Sequence, residues 1–161
     1  KKPSKEQSRS FNVLREISFM VMPKAKKASP LKARCLTALQ LMVRLKGSDD
    51  QGVCECVTCG VRRHYKDRMS GGHFIPRGSR WGLEEWNVWP QCFYCNMWGM
   101  SSGSAAQTYT LHMIDQFGKS FVEDAIARKS EPVKRYKSDY EEMLKEFNAE
   151  IKFHKHRIGI L

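Results

Sequence analysis

The chain has 161 residues, 28 of them Lys or Arg against 17 Asp or Glu, with a formal net charge of +11 and an apolar fraction of 41%. That is enough for one domain of ordinary size or a small domain with appendages. No run of about 18 apolar residues occurs, which excludes an ordinary membrane-spanning helix; the Phe11–Met22 run is broken by Asn12, Arg15, Glu16 and Ser18, a poor signal-peptide core, so a cytoplasmic protein is expected.

The charge is uneven. Residues 1–46 hold twelve Lys/Arg and two acids, whereas residues 47–161 hold sixteen and fifteen. A basic arm on a near-neutral body points to a polyanion partner, nucleic acid before others; the bland alternative is a solvated tail. We take residues 1–30 as that arm, with Lys24, Lys26 and Lys27 in a linker after Pro23, and Lys32 and Arg34 continuing the basic surface. Residues 31–52 follow as a helix and loop. Leu36, Leu39, Met42 and Val43 recur at helical spacing across Leu31–Lys46, with Leu41 and Leu45 widening the stripe, and Gly47 is the stop.

Residues 53–103 carry the cysteine pattern. Cys56/Cys59 and Cys92/Cys95 are two Cys-x-x-Cys pairs separated by 32 residues, the spacing at which two knuckles converge on one tetrahedral zinc. A disulfide framework is set aside, because the spacing suits metal and no secretory signal accompanies it. Cys54 also neighbours Cys56, but Gly60 after Cys59 suits a knuckle turn and favours the Cys56/Cys59 pair. Cys35 is expected to be a small buried helix residue. Between the pairs, Gly72–Pro76 is expected to form a strand carrying His73, Arg77–Trp81 a turn, and Asn87–Pro90 the approach to the second knuckle. A helix should start near Asn96, giving the order strand, loop, strand, helix.

Residues 104–161 are expected to be helical. Ala105–Phe117 places Tyr109, Met113 and Phe117 on one stripe and ends at Gly118. Phe121–Arg128 follows, and Ser138–His156 opens with a Ser138/Glu141 capping-box pattern. The last stripe is Tyr140, Met143, Leu144, Phe147 and Ile151.

Hydrolysis of a phosphodiester requires a base that is neutral near pH 7 and a hard cation to neutralise the phosphate. Histidine, with an intrinsic pKa of about 6.5, suits the first role. A divalent ion held by carboxylate, amide or water oxygens suits the second. His73 is the candidate base, Asn96 a candidate amide ligand, and Asn87 a residue able to hold the intervening loop by side-chain-to-backbone bonds. Each has a plainer reading: an ordinary hydrogen-bonded histidine for His73, an N-cap for Asn96. His112, His154 and His156 read as surface or packing residues. Arg77 and Arg80 follow His73 closely and read as phosphate contacts. Trp89 is either core or a stacking surface for an unpaired base.

The run Gly72-His73, then Asn87-x-x-x-x-Cys92-x-x-Cys95-Asn96, resembles the HNH/ββα-metal nuclease motif in its H-N-N form. The likeness continues through Asp49-Asp50-x-Gly52-x-Cys54-x-Cys56-Val57-Thr58-Cys59-Gly60, Gly72-His73-Phe74-Ile75-Pro76-Arg77-Gly78 and Asn87-Val88-Trp89-Pro90-Gln91-Cys92. In these the chain resembles the phage NinG/Rap recombination endonucleases over Leu31 to His156. The resemblance implies an α+β protein in which a small zinc-stabilised ββα-metal module is flanked by N- and C-terminal helices. It further implies structure-selective cutting of branched DNA such as Holliday junctions and D-loops, in a host-cell cytoplasm. His73 would activate water, Asn96 would bind the catalytic ion, and the cysteines would hold structural zinc. One departure stands out. Many such nucleases carry an acid or histidine before the catalytic His, and this chain has Gly72. Asp49, Asp50 and Asp67 are the replacements considered. Asn at the third motif position favours Mg²⁺ or Mn²⁺. A homodimer through Leu31–Lys46 or Ser138–His156 would supply two active sites for symmetric junction cleavage. The competing functions are a non-catalytic zinc module that binds nucleic acid and a sequence-nicking HNH endonuclease.

Overall fold

The structure is a computed structural model that describes residues 29–160. The expectations for the basic arm, including Lys24, Lys26, Lys27 and Phe11–Met22, fall outside those residues. Helix α1 spans Pro30–Lys46. Ser29 caps it by accepting the Lys32 N–H at 3.2 Å, and Pro30 sits at the first turn, where no N–H is needed. The expected stripe is close to the observed one: Leu39, Met42, Val43 and Leu45 are buried with Cys35 and Ala38, while Leu36 and Leu41 are partly buried.

Two small antiparallel sheets follow. Strands β1 (Val53–Glu55) and β2 (Arg62–His64) form a hairpin around the first cysteine pair. Arg62–His64 shows no apolar alternation, and only its pairing to β1 makes it a strand. Strands β3 (Met69–His73) and β4 (Val88–Cys92) form the second hairpin, in register from Met69–Cys92 to His73–Val88. The expected strand Gly72–Pro76 is therefore displaced toward the N-terminus. The reason lies in Asn87: its own N–H goes to the Glu84 carbonyl at 3.1 Å rather than back to Phe74, and its side chain takes the Ile75 N–H, so the ladder ends at His73.

Beyond β4 the chain coils directly into helix. A π-helical turn at Cys95–Gly99 leads into the short α2 (Met100–Ser102), and Gly103 breaks it with φ +85°. Helix α3 spans Ser104–Phe117, α4 spans Lys119–Ala127 and α5 spans Lys137–Arg157. Helix α5 starts one residue earlier than expected. Asp139, rather than Glu141, turns back to accept the backbone N–H of Tyr136 at 2.7 Å. The Ser138/Glu141 box is thus replaced by a Tyr136/Asp139 box of the same spacing, two residues earlier.

Helix α1 is sandwiched between α5 and the β3–β4 hairpin. One core joins α1 to Phe147 and Ile151 of α5 and to Cys54, Cys56, Met69, Val88 and Cys92 of the sheets. A second core centres on Tyr109, Met113 and Val122, with Phe74, Trp86 and Trp89 against it. The apolar stripes of α1 and α5 are thus turned onto each other. Gly71 and Gly72 permit this close layering on opposite faces of β3. A Cβ on Gly71 would stand 2.7 Å from Gln40 Cα of α1, and one on Gly72 would stand 2.1 Å from Gln91 Oε1 of β4.

Candidate metal centre and histidine loop

Cys56, Cys59, Cys92 and Cys95 present their sulfurs within 4.8 Å of one another. Each comes from a distinct local device. Cys56 and Cys59 lie on the β1–β2 knuckle, closed by Gly60 N–H to the Cys56 carbonyl at 2.9 Å with Gly60 at φ +72°. Cys92 ends β4 and Cys95 opens the π-helical turn. The knuckle is fastened to β4 by Val57 N–H to the Pro90 carbonyl at 2.9 Å.

Zn–S bonds of about 2.3 Å place sulfurs on a tetrahedron's edge about 3.8 Å apart. Cys59 and Cys92 Sγ stand 3.8 Å apart. Burial pushes the Cys56 thiol up, but hydrogen bonds from Cys92 N–H, the Thr58 hydroxyl and the Cys59 and Thr58 N–H groups outweigh it and bring it down to about 7. Burial, reinforced by the neighbouring Cys59 and Cys92 sulfurs, pushes Cys95 up to about 12. Four thiols so close cannot all ionise unaided, and a divalent cation removes that obstacle. The set can therefore hold a metal ion such as zinc. Cys54 is buried beside Ser48 and Arg44, outside the set, and Cys35 donates its Sγ–H to the Tyr140 carbonyl at 3.2 Å.

His73 lies at the opposite end of the β3–β4 hairpin from Cys92. Its Nε2 is 3.0 Å from the Gly82 carbonyl. Only a protonated Nε2 can donate there, so Nδ1 carries the lone pair. Burial, the largest influence, depresses the imidazole pKa, the Gly82 carbonyl partly restores it, and the nearby Arg77 lowers it further. The ring is thus neutral near pH 7 with a defined basic nitrogen.

Asn87 holds the loop that carries Gly82. It is fully buried, accepts Ile75 N–H at 2.8 Å, and donates to the Ile75 and Trp81 carbonyls at 2.9 and 3.0 Å. Asn87→Ala would strand these buried groups, at about 1–3 kcal/mol each if unsatisfied. We expect a loss of at least about 2 kcal/mol in urea unfolding, with an unchanged zinc content; a change under about 0.5 kcal/mol would show that the loop closes without it.

The remaining expected residues are dispersed. Asn96 lies beyond the start of the helical segment, so it is not an N-cap, and its side chain has no hydrogen bond to a described residue. Asp49 accepts Val53 and Gln51 N–H groups and pairs with Arg62 at 2.7 Å; these bonds, Val53 first, hold its carboxyl below the usual range. Asp50 pairs with Arg157, and Asp67 with Arg63. Asp67 precedes β3, a strand about 13 Å long that ends at His73. Among the described residues, the four cysteines are the only group of three or more His, Cys, Asp or Glu placed to share an ion. The space that a side chain at position 72 would need is filled by Gln91, which is itself fully buried.

Arg77 is exposed and has no ionic partner among the described residues, whereas Arg80 pairs with Glu131 and lies over the Trp81 ring at 4.4 Å. Arg80 is thereby committed to fastening the loop to the segment after α4. Trp89 donates to the Trp86 carbonyl at 2.9 Å and meets His112 edge-on, which places it in the second core. Lys32 and Arg34 lie on the first turns of α1, half-buried and exposed. Tyr109 is a contributor that periodicity marked only as core: its buried hydroxyl donates to the Gly72 carbonyl at 2.9 Å, beside His73.

A family model described as "NinG: Bacteriophage Lambda NinG protein" matches residues 6–157. No curated protein and no solved structure matches the chain.

Proposed function

The chain belongs to the NinG family of phage recombination-related proteins, and from that premise we propose that it is a metal-dependent endonuclease cutting branched DNA by phosphodiester hydrolysis. The observation that carries the reading is the neutral His73, whose Nε2 is engaged by the Gly82 carbonyl and whose Nδ1 is left basic. A hairpin with its histidine at the tip, a loop closed by Asn87 and a helix leaving the second cysteine pair are the features that support an HNH-like ββα reading.

In the proposed reaction His73 Nδ1 takes a proton from water as the water oxygen attacks phosphorus. The P–O bond to the sugar breaks, and the departing oxygen takes up a proton from solvent. Arg77 contributes positive charge at the phosphate. A bound Mg²⁺ or Mn²⁺ would neutralise the phosphate and leaving oxygen. This chain offers such an ion the Asn96 carboxamide, with water and phosphate as its other ligands, since Asp49, Asp50 and Asp67 are each paired with an arginine. That scarcity of acids is also what favours the second reading, a zinc module that binds nucleic acid without cutting it.

A four-way junction incubated with the protein and Mg²⁺ or Mn²⁺ separates the readings. Ion-dependent cutting of the junction in preference to linear duplex is expected. An intact junction under every metal condition, despite tight binding, would establish the non-catalytic module; equal cutting of linear duplex would establish a sequence-nicking enzyme. The basic arm is tested by salt. Residues 1–28 carry eight Lys/Arg and two acids. Their deletion should weaken junction binding and flatten the plot of log affinity against log salt by about 0.9 for each phosphate the arm neutralises. An unchanged slope would remove the arm from the binding surface.

A further inference from the structure

The helical segment leaving the metal centre displays an unusual surface. Phe93, Tyr94, Met97 and Trp98 are 42%, 60%, 49% and 65% exposed, side by side in sequence and flanking Asn96. Trp89, Trp81 and Trp86, by contrast, are packed into the second core or its edge. Tyr94 divides two clefts. One, of about 330 Å³, is lined by Arg63, Arg68, Phe93 and the cysteine knuckle. The other, of about 550 Å³, is lined by Trp98 and Ser101, Ser102 and Ser104.

Neither lining contains an acid. Arg68 is exposed, has no ionic partner among the described residues and holds φ +50°, a conformation a non-glycine residue rarely adopts. Its carbonyl accepts the Phe93 N–H at 2.8 Å, which ties this strained residue to the first aromatic of the patch. The combination is exposed rings for stacking, an unpaired guanidinium for phosphate, and no acid in either lining, while the Ser101 and Ser102 hydroxyls are already bonded to the Met97 and Gly99 carbonyls. A protein partner's apolar face would use the rings but leave the Arg68 guanidinium unpaired. Unpaired nucleotides use all of them, because every base offers a π-face and every linkage a charge.

We propose that Tyr94 and Trp98, with Arg68, form a platform on which unpaired bases of single-stranded DNA stack. The proposal deepens the endonuclease reading and rests on it: it supplies a physical means of selecting branched DNA, whose branch point exposes unstacked bases that a continuous duplex lacks.

The test is fluorescence anisotropy with a labelled oligothymidine of about twelve nucleotides, within the site size of such grooves, and a blunt duplex of equal length. Zinc-loaded full-length protein is used without Mg²⁺, Mn²⁺ or chelator, so that cutting does not enter. Trp98→Ala and Tyr94→Ala should each weaken single-strand binding about tenfold or more, Trp98→Phe less than about threefold, and duplex binding should change less than about twofold. Unchanged single-strand affinity, or equal losses on both DNAs, would overturn the platform. So would sedimentation showing that Trp98→Ala converts a dimer to monomer, which would make the face a self-association surface. A wild type that stacks single strands yet leaves junctions intact would sink the endonuclease and keep the platform. One that cuts junctions while its variants bind single strands normally would do the reverse.

Discussion

His73→Ala is expected to slow junction cleavage by about 10²–10⁴-fold, the usual worth of a positioned general base. That is about 3–5 kcal/mol of transition-state stabilisation. The folded state should survive, because the only side-chain bond of His73 among the described residues is to the Gly82 carbonyl, while its backbone remains paired with Val88. A thermal melt of the variant checks this. The pH profile adds a readout that a structural role would not move. Burial depresses the His73 pKa, so the basic form persists below the ordinary histidine value of about 6.5. Cleavage should therefore be flat from neutral pH downward through about 6.5 and fall only below it. The same shift predicts that the contribution of His73 to stability is fully present above the unfolded pKa and is lost as pH falls through the lower folded value. Cutting by His73→Ala at the wild-type rate, or an acid limb above about 7, would remove His73 from the role of base.

Removal of the metal is the second large effect. Structural zinc in a four-cysteine site contributes about 10–16 kcal/mol of binding energy near pH 7, comparable with or greater than the whole stability of a small domain. Here the ligands are also core residues. Cys56 and Cys92 are buried in the cluster that joins α1, the hairpins and α5. Losing the ion would leave four crowded thiols where the knuckle meets β4, and the disturbance would reach α1. We expect one zinc per chain by elemental analysis. Chelation should abolish the cooperative thermal transition or lower Tm by more than about 10 °C. Cys56→Ser and Cys92→Ser should reproduce the loss, while Cys54→Ser and Cys35→Ser, at buried positions outside the set, should retain full zinc content. Retained cooperative melting after verified metal loss would show that the helices hold the fold alone.

The places where sequence reading succeeded share a physical feature: the determinant is local. The four-cysteine set is legible because a knuckle is a short turn whose cysteines lie three residues apart. Helices α1, α3 and α5 are legible because period-3.6 stripes such as Leu39–Met42–Val43 and Phe147–Ile151 report their own burial. The role of Asn87 follows from chemistry near in sequence, since its partners Ile75 and Trp81 lie 12 and 6 residues away. Helix starts and strand limits were misplaced by a few residues where a competing bond won, as at Asp139 and at Asn87.

What residue order alone determines about this protein is thus its parts: four cysteines spaced to hold a metal, a histidine between the pairs, amphipathic helices and an uneven charge. Tertiary structure decides which of those parts meet. Gly72 precedes His73 because Gln91 from the neighbouring strand fills the space a side chain would take. Arg80 is withdrawn from the surface by Glu131, 51 residues distant. Asp49, Asp50 and Asp67 each pair with an arginine, from a different segment for Asp49 and Asp50. Trp89 is drawn into the core, and Trp98 is left at the surface. Each outcome depends on contacts between segments whose approach is set by packing of the whole chain. An acid, an arginine or a tryptophan reads the same in sequence wherever such packing places it.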